Sequence, residues 1–153
     1  MSPWLPKEEF QDIFSKVPRL TVEVIVRGEQ GIILTKRQID PCKGSWHVPG
    51  GTVFYGEPVE AAVLRVAKDE LGVEVEVKKL LGYIEYPSHY KNGQDSPVGL
   101  AFEVSEPKDL QLQDDAAWFT EAPTNMHPDQ DKFLLKHNLI KWGSKSSIFS
   151  HKS

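Results

Sequence analysis

The stretch Pro49 to Val73, "PGGTVFYGEPVEAAVLRVAKDELGV", constrains the chain more than any other. It predicts a tight Gly-Gly turn, then a helix over Pro58 to Leu71 with Pro58 at its first position and Gly72 just past its end, the usual asymmetry of helix punctuation. At about 100° per residue, Val59, Ala62, Val63, Val66 and Ala67 share one face, and Glu70 continues that stripe. A carboxylate there is costly unless a charge or hydrogen bonds compensate it. Asp69 lies beside it, towards the flank carrying Arg65. Two acids in the last turn also oppose the helix dipole, at a few tenths to about 1 kcal/mol if solvated. A divalent cation would reverse that sign, and hard Mg²⁺ takes carboxylate and carbonyl oxygens while keeping water. A solvated, frayed helix end is the alternative. Gly50 and Gly51 permit close backbone approach to an ion or ligand, and Glu57 stands where it can orient Arg65.

The flanks supply a sheet. Lys7 to Val17 carries Phe10, Ile13, Phe14 and Val17 at helical spacing, and Pro18 ends that segment. Leu20 to Val26 and Gly31 to Arg37 are rich in β-branched residues about the turn "RGEQG" and read as a hairpin. "VEVEVKKLLGYIEY" and "VGLAFEV" read as strands around the polar connection "PSHYKNGQDSP", which is long enough to line a site. "AAWFT" is a last short strand, and "PDQDKFLLKHNLIKW" suits a carboxy-terminal helix. One domain over residues 1–142 with a polar tail over 143–153 is the expected organisation.

Composition narrows the function. The 153 residues are 39% apolar and 26% charged, enough for a core of their own, and the formal charge of −4 argues against a protein that holds nucleic acid by phosphate neutralisation. Cys42 is the sole cysteine, so no intramolecular disulfide forms, and no Cys/His spacing matches a zinc site. No apolar run approaches the roughly 20 residues that span a bilayer. A soluble, cytoplasmic protein without a membrane partner is expected.

The spacing Gly51, five residues, Glu57, seven residues, Arg65, then Asp69-Glu70 and Gly72-Val73 resembles the Nudix box G-x5-E-x7-R-E-U-x-E-E-x-G-U, with U apolar. "ILTKR", "GSWHVPGG" and "AAWFT" resemble its flanking segments. The resemblance implies an α/β/α sandwich with a mixed sheet and a loop-helix-loop box. It further implies Mg²⁺- or Mn²⁺-dependent cleavage of a small nucleoside diphosphate derivative. It makes the Gly50 carbonyl, Asp69 and Glu70 metal ligands and gives Glu57 and Arg65 a mainly structural part. Val66 stands where most members carry a glutamate, and Asp69 replaces the first glutamate of the E-E pair.

Within that family, "EEF…VPRL", "KRQIDPCKGSWHVPGGTV", the apolar residue 66 and "DDAAWFT" resemble the GDP-mannose mannosyl hydrolase branch. There water displaces the nucleoside diphosphate at sugar C1. By this resemblance Glu23 and Gly51 lie near the nucleotide and Arg37 contacts the diphosphate. Thr52 replaces an arginine of the branch, and Leu112-Gln113 replace its Gln-His pair, the metal ligand and base.

His89 and His127 are the natural general-base candidates, each weighed against an ordinary loop histidine. Glu85 is a weaker candidate, for a further metal ligand or a base, against an exposed strand carboxylate. Lys36 and Arg37 suit phosphate contact or a solvated strand end. Trp4, Phe10 and Phe14 serve packing, a nucleobase or a homodimer seam, and Trp46 and Trp118 are expected in the core. Three functions stay open: C1 hydrolysis of a nucleotide sugar, pyrophosphatase cleavage, or a nucleotide-sugar binding module with weak or no catalysis.

Overall fold

The structure, a computed structural model, describes residues 4–39 and 42–143. Beyond Gly143, the expected polar tail lies outside the described residues.

A mixed seven-stranded sheet forms the centre. Strand β1 (Arg19–Gly28) turns through Glu29 and Gln30 into β2 (Gly31–Lys36), and Gly31 takes the left-handed region at φ 104°. Short β3 (Trp46–His47) and β4 (Gly50–Thr52) follow, then helix α2 (Val59–Leu71), β5 (Val77–Glu85), β6 (Pro97–Val104) and β7 (Ala116–Phe119). The order is β3-β2-β1-β6-β5, with β1 and β6 parallel, β4 added to β1 and β7 to β2. Three further helices, α1 (Lys7–Phe14), α3 (Pro87–Tyr90) and α4 (Asp131–Lys136), complete the chain.

Six consecutive residues of β1, Thr21 to Val26, are buried, which requires cover on both faces of the sheet. Alternation assigns the faces. Val22, Val24, Val26 and Ile33 join Val63, Val66 and Ala67 of α2 in one core, whereas Ile25, Ile32 and Leu34 pack with Leu134 of α4, Leu139 and Ile140 in the other. The result is the expected α/β/α layering.

β1 changes antiparallel partner along its length, pairing residues 21–23 with β4 and residues 27–28 with β2. Between those pairings β2 and β4 separate, and a cleft opens at the split, lined by Glu23, Thr35, Arg37 and Gly50 among others.

Several boundaries differ from the sequence expectation. Pro58 is the cap residue (φ −60°, ψ 142°) and the helix begins at Val59, while Gly72 ends it at φ 69°, as its lack of a Cβ allows. α1 stops at Phe14 and leaves Val17 48% exposed. β5 begins at Val77, since Val73 turns into the α2 core. The carboxy-terminal helix is only Asp131–Lys136, because Asn138 adopts φ 56° and breaks it. The polar connection contains α3. Trp46 and Trp118 are half-buried and pack against the edges of the two cores instead of filling them.

Candidate functional site

The α2 box is held by its arginine. Arg65 donates from Nε to Glu57 Oε2 at 2.8 Å, and from Nη2 to Glu57 Oε1 at 3.0 Å and to the Thr52 carbonyl at 2.7 Å. Its guanidinium also lies 3.8 Å from the centre of the Phe54 ring. Glu57 accepts the Phe54 amide at 3.0 Å, so both ends of the 52–57 loop are tied to α2 through one pair. The Arg65 hydrogen bond pulls the Glu57 carboxyl below its usual range. Arg65 is therefore a positioning residue by geometry.

The two glycines in front of α2 are close approaches. A Cβ on Gly51 would stand 3.0 Å from Val66 Cγ2, and one on Gly50 would meet the Val22 carbonyl at 2.8 Å and overlap the Glu23 carboxyl. Val66 is 2% exposed within the core. Its side chain thus supports the turn from below, in the place where a third carboxylate would have been.

Glu70 lies at the end of the apolar stripe, not within the core. Its side chain is exposed and borders the cleft. Partial burial against the cleft wall raises its pKa, and the negative charges of Asp115 and Asp69 raise it further. Asp69 leans the other way, 3.7 Å from Arg65 Nη1, and is not part of the cleft lining. Asp115 lines the cleft, and its charge acts on Glu70. The "DDAAWFT" segment was legible only as a flanking pattern. The pairing of Ala116 with Thr35 puts Asp115 at the cleft mouth, its carbonyl accepting the Lys36 amide at 2.7 Å. Leu112 packs against the α2 core and offers no ligand.

Among the described residues, no three His, Cys, Asp or Glu side chains are gathered tightly enough to hold a metal alone. Gly50, Glu70 and Asp115 line the cleft and offer it a sparse set of oxygens, with the charge of Asp115 adding to the upward push on the Glu70 carboxyl. That fits a hard divalent ion completed by water and phosphate oxygens and does not fit a closed zinc site.

Across the cleft stands a buried polar wall. Glu23, 5% exposed, accepts Tyr86 Oη at 2.7 Å and Thr21 Oγ1 at 3.2 Å; Gln130 Nε2 donates to Tyr86 Oη at 2.8 Å and its Oε1 accepts the Val48 amide at 2.8 Å. Burial drives the Glu23 pKa up to about 7, against the lowering pull of the Tyr86 and Thr21 bonds and of Arg19 and Arg37. Glu23 lines the cleft, with its carboxylate against Gly50. His89 lies in α3 and His127 in the segment before α4; both are buried, at 4% and 1% exposed, and line the same cleft. The Asp129 amide donates to His127 Nδ1 at 3.2 Å, so the neutral ring carries its proton on Nε2 and has no lone pair for a general base. Burial lowers the His127 pKa to about 3, helped by His89, Arg37 and His47.

Arg37 lines the cleft at the end of β2. Arg19 was missed by sequence reasoning; it reaches Thr52 Oγ1 at 2.6 Å and pairs with Asp95 at 2.7 Å, which places a guanidinium beside Thr52. Glu85 is exposed and away from this cleft. Trp4 packs on Phe54 with ring centres 4.7 Å apart and on Phe10 at 6.0 Å, and Phe10 and Phe14 also line the cleft.

The family model for the NUDIX domain matches residues 17–136. The chain belongs to the Nudix hydrolase family. Among curated relatives, it is 36% identical over 138 residues to "Low-salt glycan biosynthesis protein Agl8" of Haloferax volcanii, covering 85% of this chain and 88% of that one. It is 41% identical over 76 residues to "ADP-ribose pyrophosphatase" of Methanocaldococcus jannaschii, covering 50% of this chain and 45% of that one. Among solved structures, the MutT NUDIX hydrolase of Burkholderia pseudomallei superposes with a TM-score of 0.68 at 26% identity, covering 78% of this chain and 97% of that one. Nudix hydrolases act on small nucleoside diphosphate derivatives and generally use divalent metal ions. Among the described residues no helix is long and apolar enough to cross a membrane.

Proposed function

We propose that this Nudix hydrolase cleaves a nucleotide sugar with the help of Mg²⁺ or Mn²⁺. The observation that carries the reading is the cleft itself. It encloses about 1480 Å³ and joins the sparse oxygen set at Gly50, Glu70 and Asp115 to Arg37 and then to the buried polar wall. Pockets for a single small ligand are usually roughly 300–1,000 Å³, so this one suits a ligand with two polar parts. The relation to a glycan biosynthesis protein along most of both chains supports a sugar as one of them.

In this reading the Gly50 carbonyl, Glu70 and Asp115 hold the metal, with Asp69 shaping the charge beside it. A bound divalent ion supplies neutralisation of the diphosphate and helps its departure or polarises phosphorus. Arg37 binds a phosphate oxygen pair, a task suited to its planar fork of donors. Glu57 and Arg65 keep the Gly50-Gly51 turn in register with α2. A second reading, pyrophosphatase cleavage to a nucleoside monophosphate, is favoured by the similarity to an ADP-ribose pyrophosphatase.

Incubation with Mg²⁺ or Mn²⁺ and GDP-mannose, UDP-glucose or ADP-ribose, followed by product identification, tests both. Sugar plus nucleoside diphosphate marks attack at C1. Sugar phosphate plus nucleoside monophosphate marks attack at phosphorus. Binding without turnover of any substrate overturns the enzyme reading in favour of a binding module.

A further inference from the structure

Among the described residues, two buried polar atoms without a hydrogen-bond partner stand in one wall: His89 Nε2 and His127 Nε2. A buried imidazole nitrogen left unpaired forfeits the hydrogen bonds it made to water, so two in one place call for an occupant.

The rings are aimed by design of the surrounding bonds. Ser88 donates from both its amide and its hydroxyl to the Asp129 carboxylate, which ties α3 to the segment carrying His127. The Asp129 amide occupies His127 Nδ1, and Asp95 occupies His89 Nδ1 at 3.2 Å. Asp95 is itself held by Arg19. Tyr86 packs edge-on to both rings, at 5.2 Å from His89 and 5.5 Å from His127, and the two imidazoles lie 5.7 Å apart, tilted by 33°.

With both rings uncharged, these bonds give opposite characters to the two open atoms. His127 Nδ1 accepts, so Nε2 carries the hydrogen and donates. His89 Nδ1 faces a carboxylate and must donate, so Nε2 of the neutral ring accepts. A donor beside an acceptor is the complement of a hydroxyl, which accepts one bond and donates another. It is a poor metal site, because Nε2 of His127 has no lone pair, and a poor phosphate site, because only one atom donates.

We infer that His89 and His127 form a hydroxyl-recognition subsite in the cleft wall, reading a sugar hydroxyl of the ligand through one donated and one accepted hydrogen bond. The inference rests on the nucleotide-sugar reading and deepens it: the histidines bind and select the sugar. Glu23, through Tyr86, links this wall to the turn at Gly50, so a sugar seated here is one side chain away from the proposed metal oxygens.

The test compares each nucleotide sugar with its own nucleoside diphosphate, GDP-mannose with GDP, UDP-glucose with UDP and ADP-ribose with ADP, all with Mg²⁺. For the sugar nucleotide turned over fastest, His127→Phe and His89→Phe should raise KM by about tenfold to a hundredfold, as expected for losing a buried hydrogen bond. They should also shrink the ligand-induced rise in melting temperature, while Ki for the bare diphosphate stays unchanged. His127→Gln, which keeps a donor, should recover part of the loss and shows whether the phenylalanine variant has failed by folding. Equal weakening of sugar nucleotide and diphosphate, or no weakening of either, overturns the subsite. Wild-type protein that turns over none of the three overturns the nucleotide-sugar reading, and the subsite with it.

Discussion

Arg65 and Glu57 form a two-pronged ion pair, Nε to Oε2 at 2.8 Å and Nη2 to Oε1 at 3.0 Å, with side chains only 20% and 15% exposed. The pair ties the end of the glycine turn to the middle of α2. Removing one member leaves the other charged and partly buried, so Arg65→Ala should destabilise the protein by about 3 kcal/mol. Arg65→Lys should recover little, since an ammonium cannot reach both carboxylate oxygens and the Thr52 carbonyl together. Urea unfolding of the three proteins measures both effects.

Gly50 and Gly51 meet different neighbours and should fail differently. An added Cβ at Gly51 presses on Val66 Cγ2, a side chain, whereas at Gly50 it presses on the Val22 carbonyl and the Glu23 carboxyl. Overpacking costs typically about 1–3 kcal/mol. Gly51→Ala should fall at the low end and Gly50→Ala at or above the high end. Val66→Ala should relieve part of the Gly51→Ala cost, giving a coupling of about 1 kcal/mol in a double-mutant cycle of unfolding free energies.

How far the sequence spoke depends on whether a signal was local. The α2 helix was readable because its apolar spacing, Gly72 and the Glu57/Arg65 interval all lie within one stretch. The β1-β2 hairpin was readable for the same reason. Asp115 and Arg19 were not, because each reaches the cleft through sheet pairing with segments far along the chain, Ala116 with Thr35 and Arg19 with Pro97. His89 and His127 stood out as candidates, but their polar surroundings gave no hint of their burial; the Ser88-Asp129 link beside them joins positions 41 residues apart. Val66 was recognised as a missing carboxylate, but only the packing under Gly51 explains what a valine does there.

The division of labour among the acids gives a ranking. Glu70 and Asp115 border the cleft and Asp69 leans to Arg65, so Glu70→Gln and Asp115→Asn should weaken activation by Mg²⁺ far more than Asp69→Asn. Loss of an oxygen that holds a metal opposite a developing charge commonly costs about 10²-fold or more in kcat, a barrier change of about 3 kcal/mol. Asp69→Asn should stay within about tenfold. Initial rates across an Mg²⁺ titration read the order. Equal losses at Asp69 and Glu70 would contradict it.

His127 predicts an acid-side loss of stability. Its pKa is lowered from 6.5 to about 3 by burial, then by His89, Arg37 and His47, so in the folded protein it stays neutral where an unfolded chain would be protonated. The unfolded state therefore binds the extra proton between those values. Stability from this group is complete above about pH 6.5 and falls as pH drops towards 3, at up to about 1.4 kcal/mol per pH unit. Asp95 acts later. Burial alone would raise its pKa, but the His89 bond and Arg19 outweigh that and bring it to about 2, so its contribution is lost only below the ordinary carboxylate range near 3.8. Unfolding free energy measured from pH 7.5 to 4.5 should therefore decline from about pH 6.5. His127→Gln, which has no proton to gain, should flatten that slope by roughly one proton's worth. An unchanged slope in the variant would show that His127 is not the group responsible.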